Sequence, residues 1–235
     1  MLLCSINLEI FGIKPFLDII RISKIQTSKS STKTNMTSID LASATDEQLQ
    51  VKGKRELAYL IKRLGLTGEG VEIGVQYGKY TELILGNSDL KRLYAIDPWI
   101  EYKVDKYEDD YSEDARISQE QQDYRYLTTI FRLNKFGMRS VVMRMRSVDA
   151  CNLFSDGQLD FIFIDGNHTY EAVKEDLQFW YPKIKKGGLF SGDDYMYTPR
   201  GKTPVKDAVD EFMSDNNLKF YLTTEKWPRW YLIKA

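Results

Sequence analysis

The chain is short of cysteine and nearly without histidine. It has two cysteines, Cys4 and Cys151, and one histidine, His168. Two isolated thiols give neither a disulfide framework nor a thiolate metal cluster, which fits a reducing, cytoplasmic setting. An excess of one charge is also missing: 33 Lys and Arg stand against 34 Asp and Glu, a formal net of −1. A nucleic-acid binder usually carries a basic excess, so that partner class is disfavoured. Apolar runs of about 18 residues are absent, so no transmembrane segment is expected. The apolar start, MLLCSINLEIFGIKPFLDIIRIS, is broken by Glu9, Lys14 and Asp18 and has no basic residue ahead of its apolar part. It does not read as a secretory signal, and a docking helix or a peripheral membrane contact stays open for it. Internal repeats are missing as well.

What is present suits one domain with an extension. An apolar content of 43% in 235 residues can build a real core. From Ile25 to about Ala44 the chain turns to Ser, Thr and Lys, the composition of a linker. This divides the chain into an N-terminal extension, 1–45, and a compact domain, 46–235. Within the domain, Glu47 to Leu64 reads as a helix. GVEIGV (70–75), LYAID (93–97), SVVMRM (140–145), LDFIFID (159–165) and GLFSGDD (188–194) read as strands, with helices at Tyr80–Leu85 and Val205–Met213. Tyr170, Val173, Leu177, Trp180 and Ile184 recur at helical spacing, and KKGG (185–188) is expected to stop that helix. LKFYLTT (218–224) and RWYLIKA (229–235) read as a closing hairpin. Alternating strands and helices imply an α/β fold. The expectation is a Rossmann-like, seven-stranded, mostly parallel sheet with one antiparallel edge strand and helices on both faces. Ligands of such sheets bind beyond the carboxyl ends of the strands.

The polar residues that follow the apolar runs are therefore the ones to weigh. VEIGVQYGKYTELI (71–84) leads a strand into Gly74 and Gly78 and then a helix. Glycines there allow a tight turn and close approach of backbone to a ligand, and a plain strand-to-helix turn would use them too. The spacing is GxxxG, unlike the GxGxxG of nicotinamide enzymes, which argues against an oxidoreductase. Asp97 closes the next strand, at about the 20-residue offset where a carboxylate accepts ribose hydroxyls. A helix cap or solvated strand end reads the same, but both motifs together favour a nucleoside-containing cofactor.

Asp165 ends one strand, and Asp193 and Asp194 end the next. Adjacent parallel strands would bring these three carboxylates to one sheet edge. Like charges so close need protons or a cation. Oxygen ligands without Cys favour Mg²⁺ or another hard divalent cation. His168 follows Asp165 closely enough to serve the same site as a base.

These residues resemble a class I S-adenosylmethionine-dependent methyltransferase over roughly Glu47 to Ala235. Glu72-x-Gly74-x-x-x-Gly78 is similar to the first motif of that family, and Asp97 to its ribose-binding acid. The resemblance implies that Glu72, Gly74, Gly78, Tyr80 and Thr81 lie along the cofactor. Asp97 and Trp99 would hold the adenosine end, and Ser147, in MRSVDA (145–150), would line the adenine pocket. The acidic triad is similar to that of cation-dependent O-methyltransferases of the catechol and sugar-modifying types. IDGNHTYEAVKEDLQFWYPKIKKGG followed by GDDY most closely resembles a bacterial and viral group often found near glycan-synthesis functions. The resemblance implies O-methylation of a sugar, glycan or small natural product, with S-adenosylmethionine as donor. Asp165, Asp193 and Asp194 would hold the metal, and Asp165 and His168 would be catalytic. The position matching His168 is basic in the catechol type, whereas many sugar-type relatives carry an acid at the place of Asn167.

The connection 101–126 is acidic and rich in tyrosine; Tyr102, Tyr107 and Tyr111 could stack on a sugar face, or the segment could be a solvated surface or a dimer contact. Arg200 and Lys202 are candidates to meet an anionic part of the acceptor. A catechol-like acceptor, a non-catalytic module with the same fold, and a homo-oligomer all stay open.

Overall fold

The computed structural model describes residues 38–102 and 116–235. Its central strand explains the architecture. β4 (Leu159–Ile164) reads LDFIFI, and every residue in it is buried. Side chains alternate along a strand. Ile162 and Ile164 thus enter one core while Phe161 and Phe163 enter the other, and Leu159, across a register shift, joins the first. A strand buried on both faces belongs in the middle of a helix-covered sheet.

The sheet has seven strands in the order β3-β2-β1-β4-β5-β7-β6. β1 (Glu69–Ile73), β2 (Arg92–Asp97), β3 (Ser140–Arg144), β4 and β5 (Ile184–Gly192) run parallel. β7 (Trp230–Ile233) is antiparallel to β5, and the two-residue strand β6 (Tyr221–Leu222) closes the edge beside it. The expected mostly parallel sheet is therefore present, with its antiparallel strand one place in from the edge. On one face pack α5 (Ser147–Cys151), α6 (Tyr170–Trp180) and α7 (Pro204–Asp215); on the other pack α2 (Lys54–Arg63), α3 (Lys79–Asn87) and α4 (Gln119–Leu133). Among the described residues no helix is long and apolar enough to cross a membrane.

Three elements differ from the sequence reading. The helix expected over 47–64 is two helices, α1 (Asp46–Leu49) and α2. Between them Val51 leaves the helical path to bond with the C-terminal hairpin: its N–H donates to the Tyr231 hydroxyl at 3.3 Å, and its carbonyl accepts from Thr224 N–H at 3.3 Å. The connection 101–126 ends in helix α4, which was not expected. The helix starts on a reciprocal Ser118–Gln121 capping box and buries Gln122, Thr129 and Leu133. Two of those three are polar, so the apolar period is hidden.

The third difference is at KKGG. α6 ends at Trp180, and Pro182 sits in the short turn that follows. Proline lacks the N–H a continuing helix would need. KKGG instead lies inside β5, where the register against β4 shifts between Leu159 and Phe161. Gly187 takes the expected left-handed conformation, φ 74°, but within this strand irregularity.

Candidate active site

A cleft of about 1020 Å³ opens beyond the carboxyl ends of the parallel strands. Strand register brings its parts together. Ile73 of β1 pairs with Ile164 of β4, and Ile164 with Gly192 of β5, so Gly74, Asp165 and Asp193 leave the sheet side by side. Gly74 has φ 81°, and a Cβ there would sit 1.8 Å from the Asp165 carbonyl oxygen. No other residue fits that crossing without moving the strand that carries Asp165.

The first half of the cleft is held by backbone. Asp97 Oδ2 accepts the N–H groups of Val75 and Gln76, both at 3.0 Å, and Oδ1 accepts that of Trp99 at 2.8 Å. Burial raises the Asp97 carboxyl pKa, against the pull of those three bonds. Gln76 and Trp99 both have positive φ, so the carboxylate pins two strained loops. Glu72 is fully buried on β1, and Thr81 Oγ1 donates to its Oε2 at 2.5 Å. Burial pushes Glu72 up to about 8, more than Thr81 and Lys54 pull it down.

The second half is held by charge. His168 Nε2 lies 3.0 Å from Asp194 Oδ2 and 4.0 Å from Asp165 Oδ1. Ligand atoms of Asp165, His168 and Asp194 all fall within 4.8 Å of one another. Asp194 reaches this group from a positive φ of 54°, a conformation aspartate tolerates better than most residues. Burial pulls the imidazole pKa down, but Asp165 and Asp194 outweigh it and lift it to about 10. Lys54 Nζ bridges Asp165 Oδ2 at 3.0 Å and Asp193 Oδ2 at 2.7 Å. Arg229 Nε takes the other Asp193 oxygen at 2.7 Å.

The sequence-predicted residues divide accordingly. Glu72, Gly74, Tyr80, Asp97, Ser147, Asp165, His168, Asp193 and Asp194 all line the cleft. Gly78, Thr81 and Trp99 do not. Gly78 caps α3, Thr81 holds Glu72, and the fully buried Trp99 donates from Nε1 to the Gln76 carbonyl at 2.9 Å. Asp193 lines the cleft but stands apart from the clustered ligand atoms, because Lys54 and Arg229 take both its oxygens. Asn167 Oδ1 accepts the Thr169 N–H at 2.8 Å, so its amide closes the turn before α6. Tyr102 lines the cleft, Arg200 and Lys202 do not, and Tyr107 and Tyr111 lie outside the described residues.

Two cleft-lining residues escaped the sequence reading. Lys54 sits on α2, remote in sequence from both acids it joins, and no spacing announces it. Asp176 did leave a signal: it falls on the buried stripe of α6 with Val173, Leu177 and Trp180, where a carboxylate is out of place.

A family model described as a methyltransferase domain matches residues 71–195. The chain belongs to that methyltransferase family. The match runs from β1 to just past Asp194, so it spans both halves of the cleft. Solved structures agree at the level of fold. The O-methyltransferase NovP aligns with TM-score 0.56 and 21% identity over 77% of this chain and 78% of its own. A putative caffeoyl-CoA O-methyltransferase from Staphylococcus aureus aligns with TM-score 0.58 and 16% identity over 77% and 82%. A curated relative, the uncharacterized protein R132 of Acanthamoeba polyphaga mimivirus, is 28% identical over 150 residues. That stretch is 62% of this methyltransferase and 59% of the relative, so the chain matches about three-fifths of the relative's length.

Proposed function

We propose that this methyltransferase uses S-adenosylmethionine to methylate a hydroxyl of a small or glycan-linked acceptor, assisted by a divalent cation. The observation that carries the reading is the meeting of Asp165, His168 and Asp194 within 4.8 Å, in the same cleft as Glu72, Gly74 and Asp97. The donor set fits a cation. The oxygens of Asp165 and Asp194 converge as hard ligands, and the imidazole beside them is kept for proton transfer. NovP is an O-methyltransferase and the Staphylococcus aureus neighbour a putative one, which favours oxygen as the acceptor atom. The sugar or natural-product acceptor rests on the IDGNHTY and GDDY motifs.

When bound, the donor supplies an electrophilic methyl group and the cation lowers the pKa of the acceptor hydroxyl. Asp97 and the Gly74 loop hold the donor end. Asp165 and Asp194 hold the cation, with Asp193 fixed behind them by Lys54 and Arg229. His168 Nε2 receives the proton that leaves the acceptor oxygen as the new C–O bond forms and the C–S bond breaks. A proton acceptor must be neutral. His168 therefore serves only when a cation shares the charge of Asp165 and Asp194. Orientation of oxygen toward the methyl carbon supplies much of the remaining rate. We place the reaction in the cytoplasm, where a buried free thiol such as Cys151 stays reduced. We assign it to a domain of residues 46–235.

The test is methyl transfer from labelled S-adenosylmethionine to a panel of sugars, catechols and other alcohols, with and without chelator. Transfer to a hydroxyl that stops in chelator and returns with a divalent cation is the expected result. Undiminished transfer in excess chelator removes the metal. Absence of donor binding removes the enzyme reading and leaves a non-catalytic module.

A further inference from the structure

Helix α4 has its polarity reversed. Its buried side carries Gln122, Thr129 and Leu133. Its solvent side carries Tyr124, 65% exposed, Leu127, 62% exposed, and Phe131, 86% exposed. A surface helix ordinarily turns its apolar stripe to the core and its polar residues to water. The polar residues inside are accounted for: Thr129 Oγ1 donates to the Gln76 carbonyl at 3.1 Å, and Gln122 lines the cleft. The apolar residues outside have no such account within the fold.

Positions 124, 127 and 131 follow at steps of three and four, so their side chains form one seam along the helix, opposite the buried side. Met138, 83% exposed, lies just beyond its end. A single exposed apolar side chain is ordinary, whereas a contiguous seam of them marks a surface that another protein covers. The seam is charged at its ends. Glu120, exposed, stands one turn before Tyr124, and Lys135, exposed, stands one turn after Phe131. Lys135 also bonds Glu82, which uses one of its three donors.

The order of acid, apolar seam and base is complementary to its own reverse. Two copies of α4 laid antiparallel about a twofold axis near Leu127 bring Tyr124 to the partner's Phe131 and Glu120 to the partner's Lys135. Each contact then occurs twice, as an isologous interface requires. A parallel pair would set acid on acid and base on base. This self-complementarity selects a second copy of the chain as the occupant.

We propose that α4 forms the interface of a homodimer, in which Tyr124, Leu127 and Phe131 of each copy pack antiparallel on the same seam of the other. Gln122 and Arg125, on the same helix, line the cleft, so the pairing braces one cleft wall in each copy.

The test is sedimentation of the full chain across the micromolar range. Wild type is expected to pass from monomer to dimer as concentration rises. Phe131→Glu places a charge in the seam twice over, once per copy, and is expected to raise the dissociation constant by about 10²-fold or more. Phe131 is exposed in the monomer, so the variant keeps its fold. Glu120→Lys sets like charges against each other at both ends and is expected to weaken the dimer by about tenfold. Leu153→Glu, at an exposed apolar residue just past α5, is expected to change nothing. A wild type that stays monomeric at every concentration overturns the inference and leaves the seam to another protein. A dimer that Phe131→Glu does not weaken lies elsewhere and overturns it too, as does equal weakening by Leu153→Glu. An unchanged constant in Glu120→Lys overturns the antiparallel arrangement.

Discussion

The two halves of the cleft are built from different materials. At the ends of β1 and β2, a carboxylate is satisfied by backbone N–H groups of the loops beside it. At the ends of β4 and β5, carboxylates are satisfied by side chains from far along the sequence: Lys54 before the sheet begins and Arg229 at its last strand. The first half is a local solution that a short motif can encode. The second is assembled by the whole fold. Backbone contacts fix a shape once, whereas a balance of charges can be re-set by whatever cation or proton enters. On the proposed function, that suits a donor site that must stay constant and a reacting site that must change state.

The sharpest break is at Asp165. Asp165→Ala is expected to lower methyl transfer by about 10³-fold, because on the proposed mechanism it removes a carboxylate that would hold the cation and that also faces His168. A normal rate in steady-state assays would refute its role. Gly74→Ala attacks the seam between the halves. The added Cβ collides with the Asp165 carbonyl, and the unfolding free energy is expected to fall by about 3 kcal/mol or more, measured by denaturant titration. His168→Ala is expected to cost about 10²-fold in rate with little change in donor affinity. Equal losses in both would make it a binding residue instead. Lys54→Met leaves Asp193 with Arg229 alone, and about 1–2 kcal/mol of stability should go, discounted because Lys54 is partly exposed.

The smallest effect is a slope. Glu72, pushed up to about 8, holds a proton in the folded state that the unfolded chain releases above about 4.5. Its contribution is full below 4.5 and is lost as pH rises through 8. Asp176, at about 7 against 3.8, acts in the same direction. Thermal melts from pH 5 to 9 should therefore fall with pH, and Glu72→Gln should flatten that fall. An unchanged slope would show that Glu72 ionises in the folded protein as it does in water.

The same contrast explains what could be read before any coordinates. Gly74, Asp97 and the LDFIFID run are legible because each sits at a fixed offset from its strand and acts through backbone. That the main strands run parallel follows from their alternation with helices, whereas their order is set by the fold. Helix α4 was hidden because Gln122 and Thr129 take core positions usually held by apolar residues. Lys54 was hidden because its meaning lies in Asp165 and Asp193, which only folding brings near. The resemblance sets Trp99 beside the cofactor; in the structure it is fully buried and its Nε1–H goes to the Gln76 carbonyl, a contact that no spacing announces. Adjacent sequence positions also do not share a fate: Asp194 turns to His168, and Asp193 to Lys54 and Arg229.

The measurement that tests this division most directly is titration of S-adenosylhomocysteine into wild type, Asp97→Ala and Asp165→Ala proteins. Asp97→Ala should weaken binding by about 10²-fold through the proposed ribose contact and the loops it pins, while Asp165→Ala should stay within about threefold of wild type. Equal losses at the two positions would show that donor binding draws on both halves of the cleft alike, and would contradict the account.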